Sequence, residues 1–126
     1  MGFVSPATDY IENKISLDHI CRTQSPGVFM FSSGVTSYRE GIKPGALLIV
    51  DFGATPVDGS IVVCVIDGEF RLMRLRKHPA PYLQHLDQIE KVHQLQSDGD
   101  NIEIRGVVTH IVSDARTGEF EERLLL

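Results

Sequence analysis

Between Ile61 and Arg76 the chain carries two runs of strand-forming residues separated only by Asp67-Gly68, and this arrangement restricts the fold more than any other stretch. The first run, Ile61-Val62-Val63-Cys64-Val65-Ile66, is dense in β-branched side chains, which pack well on a pleated surface. An Asp-Gly pair suits the favoured two-residue hairpin turn, whose central residues must both tolerate positive φ. Glu69-Phe70-Arg71-Leu72-Met73-Arg74-Leu75-Arg76 then returns as the partner strand. The chain is therefore expected to be built around an antiparallel hairpin.

Other segments extend the β reading. Ser25-Pro26-Gly27 signals a turn before the short apolar run Val28-Phe29-Met30-Phe31. Pro44-Gly45 signals another, before Leu47-Leu48-Ile49-Val50. Pro79 and Pro81 interrupt the chain, and the stretch from Tyr82 to Gln96 fits either a strand pair or a helix, of which the strand pair is the reading adopted. Ile102-Glu103-Ile104-Arg105 alternates, Gly106 breaks the alternation and Val107 to Val112 resumes it, as in a long strand bent at a glycine bulge. From Ala7 to Ile20 the apolar residues Tyr10, Ile11, Ile15, Leu17 and Ile20 suit one or two short helical turns. The count is six or seven strands and little helix, a mainly β fold of twisted antiparallel sheets. A length of 126 residues and a mass of 14.0 kDa leave room for one domain and one core. Residues 1–8 read as an extended amino-terminal arm and residues 9–126 as that domain, with an acidic tail around Glu119-Phe120-Glu121-Glu122 and a terminal Leu124-Leu125-Leu126.

Several function classes fall away. With 42% hydrophobic and 23% charged residues the composition is ordinary for a globular protein. A net charge of −5 argues against phosphate-backbone binding by the bulk surface, so no sequence-specific nucleic-acid contact is expected. Arg71, Arg74, Arg76 and Lys77 are read as a solvated face. Cys21 and Cys64 have no short-spaced partner and read as buried thiols of a reducing cytoplasm. No window approaches the apolar length of a membrane span, and the start lacks the regions of a signal peptide. His78, His85, His93 and His110 match no metal-binding spacing, so neither metal nor cofactor is expected. Gly34, Gly41 and Gly45 lack the Gly-Lys-Ser/Thr that would complete a phosphate loop.

Four islands carry a family resemblance: Gly2-Phe3-Val4-Ser5-Pro6-Ala7, Gly45-Ala46-Leu47-Leu48-Ile49-Val50-Asp51, Asp67-Gly68-Glu69-Phe70 and Gly106-Val107-Val108-Thr109-His110. Together they resemble the UmuD family, relatives of the carboxy-terminal domain of the LexA repressor, from Gly2 to about Val112 at near-constant spacing. The resemblance implies the LexA/UmuD β fold. It also implies a serine-peptidase dyad in which a loop reading Ser-Gly-x-Ser-Met supplies the nucleophile and a lysine on the second hairpin strand supplies the base. A neutral amine deprotonates a hydroxyl when burial lowers its pKa, so such a lysine points into an apolar pocket.

Here the loop reads Ser33-Gly34-Val35-Thr36-Ser37, which puts Thr36 at the nucleophile position and Met73 at the base position. Threonine keeps a hydroxyl, but methionine has no titratable group. Arg74 leaves the strand from the opposite face and stays protonated. Lys77 shares the face of Met73 but lies roughly 13 Å further along. Ser37 would be an alternative nucleophile, still without a base. UmuD proteins carry an amino-terminal extension ending in Cys-Gly that is cleaved there, whereas this sequence starts Met1-Gly2-Phe3, as expected of a chain made in the processed form or of one trimmed to it. The resemblance thus implies an inactive dyad and a cytoplasmic accessory subunit of a UmuC-type lesion-bypass polymerase in the bacterial SOS response. The partners it implies are a second copy, the polymerase and a RecA filament. A self-processing peptidase, or a decoy that pairs with UmuD or LexA-like proteins, are the alternatives. The second copy is expected to cover Ile104 through Val112, read as an apolar edge strand with His110 near a dimer edge.

Overall fold

In the computed structural model, which describes residues 16–95 and 101–116, one short helix precedes seven strands. Helix α1 (Leu17–Cys21) begins where the Ser16 hydroxyl accepts the His19 N–H and stops where Arg22 turns left-handed at φ 56°. The strands are β1 (Val28–Ser32), β2 (Leu47–Asp51), β3 (Ile61–Ile66), β4 (Glu69–Arg76), β5 (Tyr82–His85), β6 (Val92–Gln94) and β7 (Ile102–Val112). The expected helical turns before Ser16, the arm over residues 1–8 and the acidic tail lie outside the described residues.

The β3–β4 hairpin forms in the expected register, Ile66 facing Glu69, with Asp67 at φ 50° and Gly68 at φ 83° supplying the two left-handed positions. Tyr82 to Gln96 contains the strand pair β5–β6. All seven strands join one antiparallel sheet in the order β1-β2-β7-β3-β4-β5-β6, so a single sheet replaces the expected plural.

One expectation is overturned in part. Strand β7 is not an outermost strand: it lies between β2 and β3, with His110 facing Ile49 of β2, and the outermost strands are β1 and β6. The two ladders overlap only at Val107 and Val108, for Ile102 to Gly106 pair with β3 and His110 to Val112 with β2. The bend near Gly106 is present: the β3–β7 register steps between Val63 and Cys64, which leaves Arg105 unpaired, and a second step in β2–β7 leaves Thr109 unpaired. Gly106 is buried because Val50 and Phe52 close over it, with no room for a Cβ.

Strand alternation puts a core on each face of the sheet. Val62, Cys64, Ile66, Met73, Leu75 and Leu83 form one cluster, whereas Ile42, Ala46, Leu48, Val50 and Leu86 form the other, with Leu72 and Val63 packed against it. Met73 and Leu72 thus leave β4 toward different cores. Both cysteines are buried and unpaired, as expected, and burial, with Arg71 partly opposing, pushes the Cys64 thiol up to about 11.

Candidate functional site

The segment between β1 and β2 is a closed loop rather than a loose connection. At its base the Ser33 N–H donates to the Ala46 carbonyl at 2.7 Å and the Gly45 N–H to the Ser33 carbonyl at 3.0 Å. Halfway out, Ser37 and Ile42 exchange both backbone hydrogen bonds at 2.9 Å, and the Ile42 side chain plugs the second core. The Ser33 hydroxyl turns back to donate to the Val35 carbonyl at 2.8 Å. Thr36 sits exposed between these two fastenings.

A third fastening comes from Asp87, just beyond β5. Its carboxylate accepts the Ser37 hydroxyl at 2.7 Å and the Tyr38 and Arg39 N–H groups at 3.1 Å each. The Ser37 oxygen in turn accepts the Glu40 N–H at 3.2 Å. Burial works to raise the Asp87 pKa, but the Ser37 hydroxyl, the two N–H groups and the charge of Arg39 outweigh it and hold the carboxyl below the usual range. Ser37 is 2% exposed and fully engaged, so it holds the loop in place and is not presented as a nucleophile. Glu40 adds an ion pair to Arg74, whose guanidinium also donates to the Gly59 carbonyl at 2.7 Å.

Thr36 and Met73 line one groove of about 320 Å³, walled by β4, the start of the loop and the residues from His85 to Gln88. The alignment of motifs therefore brings both expected dyad positions to one place. Met73 is 1% exposed, a core residue whose thioether supplies packing and no proton acceptor. Arg74 leaves β4 toward the other core, and Lys77 is exposed past the end of the strand, its N–H donating to Asp58. The basic residues are not one solvated face: Arg71 pairs with Glu69, Arg74 with Glu40 and Arg76 with Asp58.

Two residues could not be assigned to the groove from the sequence. Asp87 is one, an isolated carboxylate 50 positions from the serine it binds. His85 is the other. It pairs in register with Met73 across β4–β5, so its side chain stands on the same face beside the base position. Burial first, then His93, Arg71 and Lys91, lower its pKa below the ordinary histidine value, with Glu90 partly opposing. Its Nε2 lies 3.3 Å from Nε2 of His93, and the two rings stack with centroids 5.4 Å apart. Among the described residues no group of three or more metal-ligating side chains comes together, and no helix is long and apolar enough to cross a membrane.

The Peptidase S24-like family profile matches residues 1–109. Protein ImpA of Salmonella typhimurium is 38% identical over 116 residues, which cover 91% of this chain and 79% of that protein. Protein MucA of Escherichia coli is 37% identical over 110 residues, covering 86% and 75%. Protein SamA of Salmonella typhimurium is 31% identical over 117 residues, covering 92% and 81%.

Proposed function

The chain belongs to the Peptidase S24-like family, and from that premise we propose that it acts by binding rather than by catalysis, as a UmuD′-like accessory subunit of a UmuC-type translesion polymerase in the bacterial SOS response. The observation that carries this reading is Met73. The wall of the groove shared with Thr36 is closed by a buried thioether where the family places a lysine, and a thioether cannot take a proton from a hydroxyl. Retention of the sheet, the fastened loop and the groove without a base is what a protein kept for its surface requires.

A homodimer is part of the proposal, and the outermost strand β1 offers a surface for it. Its Phe29, Met30 and Phe31 are each about half exposed, with Phe52 stacked edge-on against the two phenylalanines. An apolar edge of this kind invites antiparallel pairing with its own copy about a two-fold axis.

One observation favours a second reading, residual self-processing: His85, its pKa lowered chiefly by burial, stands in register beside Met73, where the resemblance implies a lysine. Its Nε2 stands 3.3 Å from Nε2 of His93 and, among the described residues, no hydrogen bond joins it to Thr36, which supports the non-catalytic reading instead. The test of both is the same. In cytoplasm lacking its own UmuD, expression with a UmuC-type polymerase is expected to raise damage-induced mutagenesis. A chain extended at its amino terminus with cysteine in place of Met1, so that the Cys–Gly2 bond is present, is expected to keep its full mass with RecA filaments. A fragment starting at Gly2 would establish processing, and capture of full-length UmuD or a LexA-like protein with no polymerase would establish a decoy.

A further inference from the structure

We propose that His85 and His93 form an open two-histidine site for one transition-metal dication of the zinc, nickel or copper class, bridging β5 to the edge strand β6. The register brings the pair together. Leu83 faces His93 across β5–β6 and His85 stands two residues along from Leu83, so both imidazoles leave the same face of the sheet as diagonal neighbours.

The separation of the nitrogens carries the argument. At 3.3 Å the Nε2 atoms are further apart than the ~2.9–3.0 Å of a well-formed N–H donor bond. Two imidazole nitrogens bound to one tetrahedral cation at about 2.0–2.1 Å stand about 3.3–3.4 Å apart. The pair is thus spaced as two ligands of one ion, and loading requires little movement of either strand.

The surroundings are compatible with a cation. The cavity beside the pair has Asp67, Glu69 and Glu90 on its walls against Arg71 and Lys91, and Arg71 is already paired with Glu69 at 3.1 Å. Imidazole binds metal through an unprotonated ring nitrogen, so binding is expected to release protons. No third protein ligand joins among the described residues, so water would complete the sphere. Imidazole nitrogen selects the zinc, nickel and copper class over magnesium and calcium. The bound ion would hold β6, a three-residue edge strand hydrogen-bonded only to β5, and so fix one end of the groove without touching Thr36 or Met73.

The experiment is calorimetric titration of the full chain with zinc chloride at about pH 7.5, where ordinary imidazole is neutral, with magnesium chloride as the control and circular dichroism to verify that each variant is folded. Expected are saturable 1:1 zinc binding, none for magnesium, and weakening by at least about tenfold in His85→Gln and in His93→Gln, a loss that even outer-shell partners of metal ligands produce. Zinc should also move the ring ¹⁵N resonances of these two histidines and lose affinity at about pH 5.5 as imidazole protonates. Absence of zinc binding by the folded wild-type chain, or binding that survives both substitutions and so belongs to other histidines, would overturn the assignment.

Discussion

Replacing Asp87 by alanine should destabilise the fold from a position that is itself exposed. The carboxylate anchors the loop between β1 and β2, and the partner that matters is the Ser37 hydroxyl, which is 2% exposed and donates to it at 2.7 Å. With its acceptor gone, that hydroxyl loses a hydrogen bond to a charged group, a contribution of about 1.5–3 kcal/mol. The Tyr38 and Arg39 N–H groups belong to exposed residues, so water takes them over and they add little. A central value of about 2 kcal/mol corresponds, for a chain of this size, to a melting temperature lower by roughly 6–10 °C. Urea and thermal unfolding at neutral pH measure it, and Asp87→Asn, which keeps one carbonyl acceptor, should lose less. The pH dependence has a definite sign. The folded pKa of Asp87 lies below its ordinary 3.8, so the contribution of its charge is fully present above that value and is lost as pH falls through the folded pKa. The gap between wild type and Asp87→Ala should therefore stay constant from neutral pH down to about 5 and narrow below about 4. A gap under about 0.5 kcal/mol at neutral pH, or one that does not narrow in acid, would refute the anchor.

Two further outcomes follow from the packing. Gly106→Ala would set a Cβ 2.8 Å from Cγ1 of Val50 and 3.2 Å from Cδ1 of Phe52, an overpacking that should cost about 1–3 kcal/mol; an unchanged urea midpoint would show that β2 yields without cost. Cys64, buried and with its thiol pushed up to about 11, should resist an aromatic disulfide reagent in the folded protein at neutral pH, and both cysteines should react once it is denatured. Fast labelling of Cys64 under native conditions would mean that the first core opens readily.

The residues alone determined what local chemistry controls. Asp67-Gly68 specified the hairpin and its register because both residues tolerate the left-handed backbone that a tight two-residue turn uses, the strands from Val28 and Leu47 followed from short apolar runs after turn residues and that from Ile102 from alternation, whereas Tyr82 to Gln96 fitted a strand pair or a helix alike. The resemblance paired Thr36 with Met73, and the two border one groove in the structure. Tertiary structure decided whatever depends on pairing between distant segments. An apolar run reads alike at an edge and in the middle of a sheet, so only the order β2-β7-β3 shows that β7 lies between two strands and that, among the described residues, β1 is an outermost strand. Ser37 meets Asp87 across 50 positions, and His85 meets Met73 and His93 across strands, contacts with no local periodicity to betray them. Side chains that converge through sheet register acquire their partners, and hence their protonation and their roles, only when the strands come together.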